Sequence, residues 1–402
     1  MIRVISLFEE LGLIIQYDKS VLTPQQSLTF LGFQFDSRDM TISLGQDKKK
    51  MIQIKCHEII NQTQPRIRDV AQLLGYMVAY SGGTEYGLLH YRNLEHDKKV
   101  ALKRCMGDFD RRMHISTSGK QDISWWMHNT HLKPHTIWQA NPQHDIYSDA
   151  SLTGWGGVLG SSTARGLWSQ EETDEHINVL ELRAALLVLY SLCSNITNCH
   201  IRMFMDNTTA VVYVNNMGGS RSMGCNEVAA DIWHWAIARN IWLSACHLPG
   251  VLNTEADAQS RSTSIRNEWK LDSRWFLTLC NRWGTPDVDL FASRIAHQVE
   301  KYVAWQPDPH AFHIDAFTMR WSDNFYAFPP FSVIDRCLIK IRRDGVHGIL
   351  VVPRWTTRPW WASLMKMVQD TMIIKSASRH LTNPASGAHH PLKNLVLLAF
   401  QV

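Results

Sequence analysis

The chain has 402 residues, of which 45% are apolar and 19% charged, and a formal net charge of +4. These proportions exclude a disordered or low-complexity protein, and the length exceeds what one hydrophobic core usually serves, so about two to four domains are expected. The mildly basic charge is compatible with nucleic acid as a partner but does not require it.

The eight cysteines are scattered and form no CxxC pair, so the sequence indicates neither a zinc site nor a redox motif. There is no apolar run of roughly 18 residues and no signal-peptide pattern at the N-terminus. We therefore expect a soluble, intracellular protein, cytoplasmic or nuclear, that does not contact a membrane.

Residues 1–45 are predicted to form a helix followed by two or three strands. "VISLFEELGLII" has apolar residues at helical spacing, whereas "LTFLGFQFD" and "MTISL" alternate and are separated by the turn-forming "DSRD". Residues 46–140 are predicted to be helical, with a break at Pro65. Between residues 47 and 112 there are 13 Lys and Arg against 8 Asp and Glu. Either a solvated helix face or a surface that follows a nucleic-acid backbone explains this excess.

Residues 141–265 predict the element order β-β-β-α-β-α-α-β-α. Three short strands with tight turns come first, and "NVLELRAALLVLYSL" is a long helix. A buried strand, two helices, a further strand and a last helix that opens at "NTEADAQSR" complete the order. Hairpin strands and helical crossovers together predict a mixed sheet flanked by helices.

Residues 266–402 alternate between helices and buried strands, which predicts an α/β unit with a largely parallel sheet. "DVDLFAS", "YVAWQ", "NFYAFPPFS" and "GILVVPRW" are its predicted strands. The last fifteen residues show no clear pattern.

Four carboxylates stand at the ends of elements, or on the helix that packs over the sheet, in residues 141–265. Taken singly, Asp149 is explained as a turn acid, Asp206 as a helix cap and Asp257 as a first-turn charge near the helix dipole. Glu181 could lie on an exposed helix stripe, but apolar residues expected to face the core surround it. If the four converge, they must hold protons or a cation. All-oxygen ligands suit Mg²⁺ or Mn²⁺, and two such ions roughly 4 Å apart can hydrolyse a phosphodiester.

The set "DIYSDAS…GWGG", "NVLELRAA", "FMDNTTAV" and "HLPGVLNTEADAQSR" resembles ribonuclease H, and most closely the ribonuclease H domain of retroelement reverse transcriptases. The resemblance implies that Asp149, Glu181, Asp206 and Asp257 are the catalytic ligands of two Mg²⁺ ions. It also implies cleavage of the RNA strand of RNA–DNA hybrids.

Further site residues follow from the same resemblance. His247 matches a loop histidine that assists proton transfer or product release, a task that suits an imidazole side chain. Asn207 and Asn253 match hybrid-contacting positions, although a helix cap explains Asn253 equally well. Arg221 lies in "NNMGGSRSMG", which is either a loop that holds substrate phosphates or a plain connection between helices.

The flanking segments resemble other parts of a retroelement polyprotein, of the DIRS type that carries a tyrosine recombinase. "LGLIIQYDKS" and "FLGF" in residues 1–45 resemble the end of a reverse transcriptase palm, and residues 46–140 the thumb and connection. No Tyr-x-Asp-Asp motif occurs, so no polymerase activity is expected, and the missing polymerase portion of the element is a possible partner.

Residues 266–402 resemble a degenerate adenine-N6 methyltransferase through "DVDLFAS" and "AFPPF". Those enzymes carry Asp or Asn before the Pro-Pro pair to accept the adenine amino hydrogens. Phe328 stands there in this chain and has no acceptor atom. Phe331 could stack on a base or fill the core, and Asp287 and Asp289 could mark the remnant of a cofactor edge.

The leading hypothesis for the whole chain is a ribonuclease H. The alternatives are an inactive nucleic-acid-binding remnant and, third, an adenine methyltransferase.

Overall fold

The computed structural model describes residues 2–130, 134–137, 139–261 and 268–402. The chain divides into two compact units, residues 1–140 and 141–402. Within the described ranges, none of the helices combines the length and the apolar character that crossing a membrane would need.

The first unit combines a small antiparallel sheet with helices. It opens with α1 (Ile2–Glu10), and its sheet has the order β1 (Ser27–Phe30), β2 (Phe33–Asp36), β3 (Thr41–Leu44), β4 (His135–Thr136). The helices are α2 (Gln46–Ile60), α3 (Ile67–Tyr80), α4 (Arg92–Arg104) and α5 (Thr117–Asn129). The predicted helix and strands of residues 1–45 are confirmed, and so are helices between residues 46 and 130, but β4 is a short strand inside the region predicted to be helical. Helix α1 ends at Glu10, earlier than predicted and two residues before Gly12, whose φ of 77° is left-handed.

The second unit begins with a five-stranded mixed sheet of order β7-β6-β5-β8-β9. Its strands are β5 (His144–Ala150), β6 (Gly154–Leu159), β7 (Ser162–Leu167), β8 (His200–Met205) and β9 (Trp242–His247). Strand β6 pairs antiparallel with both β5 and β7, and β8 and β9 run parallel to β5. The helices are α6 (Ile177–Leu192), α7 (Thr208–Asn215), α8 (Met223–Ile237) and α9 (Thr254–Ser260). The predicted order of nine elements is confirmed.

The rest of the second unit is a three-layer α/β arrangement. Its five-stranded sheet has the order β11 (Val288–Asp289), β14 (Phe325–Ala327), β15 (Gly348–Pro353), β18 (Leu397–Gln401), β16 (Asp370–Ile374). Helix α10 (Ser273–Trp283) packs on one face, and α11 (Ile334–Asp344) and α12 (Trp360–Met365) pack on the other. Two further two-stranded sheets are present among the described residues. They pair β10 (Lys270–Leu271) with β17 (Leu381–Thr382), and β12 (Val303–Ala304) with β13 (His313–Ile314).

The prediction of a largely parallel sheet is wrong at β18, which runs antiparallel to both β15 and β16. This strand lies in the last fifteen residues, whose sequence shows no clear pattern. Four of its five residues are buried, because helices cover both sheet faces, so the period-2 alternation that marks a half-exposed strand is missing. "YVAWQ" contains a strand as predicted, but that strand pairs with β13, and Tyr302 forms an isolated parallel bridge with Asp289 of β11.

Candidate metal centre

Three carboxylates meet at the carboxyl ends of β5 and β8, two adjacent parallel strands of the β5–β9 sheet. Asp149 is the penultimate residue of β5, Asp206 directly follows β8, and Glu181 lies in the second turn of α6. Because β5 and β8 are parallel neighbours, their carboxyl ends reach the same edge of the sheet. One carboxylate oxygen from each residue lies within 4.8 Å of the other two. Within the described ranges, this is the one group of three or more metal-ligating side chains placed so closely.

Burial and mutual repulsion make this cluster costly without a cation. Glu181 is 4% exposed, and its burial together with the charges of Asp149 and Asp206 raises its pKa to about 9, against the opposing hydrogen bond of the Ala150 backbone N–H. Burial also raises the pKa of Asp149, and the nearby charges of Asp206 and Asp257 act in the same direction. At neutral pH, Glu181 therefore holds either a proton or a positive ligand.

The donor set fits a hard divalent cation. All the donors are carboxylate oxygens, which Mg²⁺ and Mn²⁺ prefer over nitrogen or sulfur. Glu181 Oε2 is buried and has no hydrogen-bond partner among the described residues, so it can bind an ion without giving up another contact. Asp149, Glu181 and Asp206 are thus the residues that would hold such an ion.

Glycines in β6 let helices pack tightly around the site. Gly156 pairs with Asp149 across the β5–β6 ladder. A Cβ on Gly156 would lie 2.5 Å from both the Gln259 Cβ and the Ser260 backbone nitrogen, so α9 can approach the sheet only because the side chain is missing. A Cβ on Gly157 would overlap Val188 of α6 on the opposite face.

Asp257, the fourth predicted ligand, lies in the first turn of α9 but outside the 4.8 Å group. Its Oδ1 accepts a hydrogen bond from the Arg261 Nε at 2.6 Å, and its side chain is 40% exposed. Its charge still acts on Asp149, which places it near the cluster. Its role as a ligand stays a prediction.

The predicted proton-transfer residue His247 and the predicted substrate residue Arg221 both have exposed side chains. His247 ends β9, where it pairs in register with Met205, and its side chain is exposed. Arg221 is exposed in the connection between α7 and α8. Their proposed roles remain predictions.

The two predicted asparagines have different environments. Asn207 caps α7 by accepting the Ala210 N–H at 3.0 Å, and its Nδ2 donates to Asn178. Asn253 stands at the N-terminus of α9 without a side-chain cap hydrogen bond, which removes the simple capping explanation. Instead, its Nδ2 donates to the Ser148 carbonyl at 3.0 Å and joins α9 to β5, while its buried Oδ1 has no partner among the described residues.

Ser260 is a site residue that the sequence patterns did not single out. Its buried Oγ donates to the Asp149 Oδ2 at 2.6 Å, and the Asp257 carbonyl oxygen is a second, more distant acceptor at 3.0 Å. The spacing offers a signal in retrospect, since Ser260 lies three residues after Asp257 and residues three apart are neighbours on a helix surface.

In residues 268–402, the residues that suggest a methyltransferase have different environments. Phe328 is half-buried at the end of β14, with its ring centroid 6.3 Å from that of Phe331. The buried Asp289 accepts backbone N–H groups of Phe291 and Gln298, whereas Asp287 is exposed.

The fold and the acidic cluster define a mixed α/β protein with a candidate divalent-metal site. No known protein family and no curated protein matches the sequence. Solved structures similar to parts of the chain include the ribonuclease H1 of Halobacterium salinarum NRC-1. It is 14% identical, the match covers 29% of this chain and 92% of that one, and the TM-score is 0.25.

Two further similar structures were determined with nucleic acid. LC11-RNase H1 in complex with an RNA/DNA hybrid is 20% identical over 29% of this chain and 93% of that one, with a TM-score of 0.26. The foamy viral protease-reverse transcriptase in complex with an RNA/DNA hybrid is 15% identical over 61% of this chain and 32% of that one, also with a TM-score of 0.26.

Proposed function

We propose that residues 141–265 act as a divalent-metal-dependent endonuclease that hydrolyses the RNA strand of RNA–DNA hybrids. The observation that carries this proposal is the convergence of Asp149, Glu181 and Asp206 at the carboxyl ends of two parallel strands. Two Mg²⁺ or Mn²⁺ ions bound there would supply an activated water and stabilise the leaving oxygen of a phosphodiester.

The chain's own residues would then divide the work. Asp149, Glu181 and Asp206 hold the cations, and Asp257 joins them when it releases Arg261, with which it is paired at 2.6 Å. His247, exposed at the end of β9, would transfer a proton. Asn207 and Arg221 would contact the hybrid, whereas the buried Asn253 would support that surface by joining α9 to β5. The ribose 2′-hydroxyl would distinguish the RNA strand from DNA.

In the larger setting, we propose that the chain is part of a retrotransposon reverse transcriptase polyprotein. Its partners would be the hybrid itself and the polymerase portion of the same element. Residues 1–45 and 46–140 would be the palm end and the thumb and connection, and residues 266–402 a degenerate methyltransferase-like domain.

The second candidate is a hybrid-binding protein that does not cleave. The ion pair of Asp257 with Arg261 favours this candidate, because it leaves three carboxylates rather than four at the site. The same binding surface would then serve a structural role.

One experiment separates the two candidates. The full chain is incubated with an RNA–DNA hybrid labelled on the RNA strand, in Mg²⁺, in Mn²⁺ and in EDTA, with double-stranded DNA and double-stranded RNA as matched substrates. Internal cleavage of the RNA strand of the hybrid alone, lost in EDTA, is the expected result. Retention of the hybrid in a gel-shift assay with intact RNA in both metals would instead support the second candidate.

A further inference from the structure

We propose that Ser260 is a positioning residue that fixes the orientation of the Asp149 carboxylate for metal binding. Its hydroxyl engages the Asp149 Oδ2 at 2.6 Å and leaves the remaining lone pairs of the carboxylate to a cation. The proposal rests on the proposed function only in that Asp149 binds the metal; it does not depend on which nucleic acid is cleaved.

The donor is held rigidly by its own surroundings. Ser260 is 2% exposed, and its carbonyl accepts the Ser151 Oγ at 2.8 Å from the turn that follows β5. Glycines on β6 remove the side chains that would push this part of α9 away, because a Cβ on Gly154 would lie 3.0 Å from the Ser260 carbonyl oxygen. The backbone of Ser260 is therefore held in place, and its short side chain brings the hydroxyl to Asp149.

Such a fixed donor would counteract the electrostatic repulsion within the acidic cluster. Asp149 lies near two other carboxylates, and repulsion favours rotation of its side chain away from them when no cation is bound. A hydrogen bond from a rigid neighbour opposes that rotation and preserves the geometry that the metal needs. Removing an outer partner of a metal ligand typically weakens metal binding by about 10- to 100-fold.

The test measures Mn²⁺ binding to the full-length protein by electron paramagnetic resonance, in which free Mn²⁺ gives a signal that bound Mn²⁺ loses. Ser260→Ala is compared with wild type and with Ser191→Ala, a matched control whose hydroxyl donates to the Leu187 carbonyl within α6. We expect Ser260→Ala to bind Mn²⁺ about 10- to 100-fold more weakly, and Ser191→Ala to bind like wild type.

A second variant, Ser260→Cys, is less prone to a folding defect because it leaves no cavity at this buried position. Ser260→Cys keeps the size of the side chain but replaces the hydroxyl with a weak thiol donor, and it should also bind Mn²⁺ at least about 10-fold more weakly. Wild-type affinity in either Ser260 variant would overturn the positioning role.

Failure of the proposed function gives a different pattern. If wild type and Asp149→Asn bind Mn²⁺ equally weakly, Asp149 is not a metal ligand and both proposals fall. If wild type binds more tightly than Asp149→Asn while the Ser260 variants match wild type, the assignment of Ser260 alone is wrong.

Discussion

Asp149 and Glu181 bring carboxylate oxygens within 4.8 Å of each other although each side chain is only 4% exposed. The two residues come from different elements, β5 and α6, so the fold and not local sequence brings them together. Two buried acids this close cannot both be charged at low cost without a positive partner. The acidic cluster therefore destabilises the metal-free folded protein, and a bound cation would remove that destabilisation.

Replacing Glu181 by Gln should stabilise the metal-free protein, and more so at higher pH. The folded-state pKa of Glu181 is about 9, above the ordinary value of 4.5, so the folded chain binds this proton more tightly than the unfolded chain does. The free energy of unfolding of wild type consequently falls as pH rises from about 4.5 to about 9, by at most ~1.4 kcal/mol per pH unit from this group. Urea unfolding in EDTA at several pH values measures the difference between variant and wild type.

The control for this prediction is Glu255→Gln, which changes an exposed glutamate on α9. It should follow the wild-type pH dependence. Adding Mg²⁺ should stabilise wild type but not Glu181→Gln. A difference between Glu181→Gln and wild type that stays constant with pH would show that Glu181 does not carry the proton.

Substituting Gly156 by Ala should loosen α9 from the sheet. The added Cβ would lie 2.5 Å from the Ser260 backbone nitrogen, and a helix backbone cannot move aside as a flexible side chain can. Overpacking of this kind costs about 1–3 kcal/mol. Urea unfolding should show this loss, and Mn²⁺ binding should weaken with it because Ser260 is displaced.

Gly75→Ala is the matched control, since a Cβ at Gly75 in α3 meets nothing within 4 Å. Ala has the higher helix propensity, so this change should be neutral or stabilising by up to about 1 kcal/mol. Equal stability of the two variants would mean that α9 does not pack against Gly156 as described.

Breaking the ion pair between Arg294 and Glu172 should destabilise the second unit. The guanidinium makes two hydrogen bonds to the carboxylate, at 3.0 and 2.7 Å, and both side chains are mostly buried. Burial acts to raise the pKa of Glu172, but the hydrogen bond and charge of Arg294 lower it below its ordinary value. Arg294→Ala should cost about 2–3 kcal/mol, because Glu172 is left buried with less compensation.

Arg282→Ala provides the comparison, because the pair of Arg282 with Asp370 has similar distances but is much more exposed. Exposed pairs contribute about 0–1 kcal/mol. Adding Glu172→Ala to Arg294→Ala should recover part of the lost stability in a double-mutant cycle. Costs that are equal for Arg294→Ala and Arg282→Ala would refute the importance of burial here.

The sequence predicts the elements of the β5–α9 segment well, because the apolar residues of each element have a clear spacing and each element has a clear end. It also predicts the burial of Glu181, since apolar residues precede and follow it on α6. Strand β18 could not be recognised, because burial on both faces removes the alternation on which strand prediction depends.

Side-chain pairing is harder to predict than burial. The sequence places Asp257 and Ser260 on the same short helix but does not fix which one turns toward Asp149. The structure buries Ser260 and leaves Asp257 paired with Arg261, an outcome set by the close approach of α9 to Gly156. Such a contact between α9 and β6 depends on tertiary packing that no local pattern encodes.

The most direct test of the metal-dependent nuclease is the rate of RNA-strand cleavage by wild type and by Asp149→Asn under identical Mg²⁺ concentrations. Asn keeps the shape of the side chain but removes the negative charge that holds a cation. We predict that wild type cleaves the hybrid and that Asp149→Asn, although folded, falls to the level that wild type shows in EDTA. Full activity in Asp149→Asn would contradict the assignment of this cluster as the catalytic site.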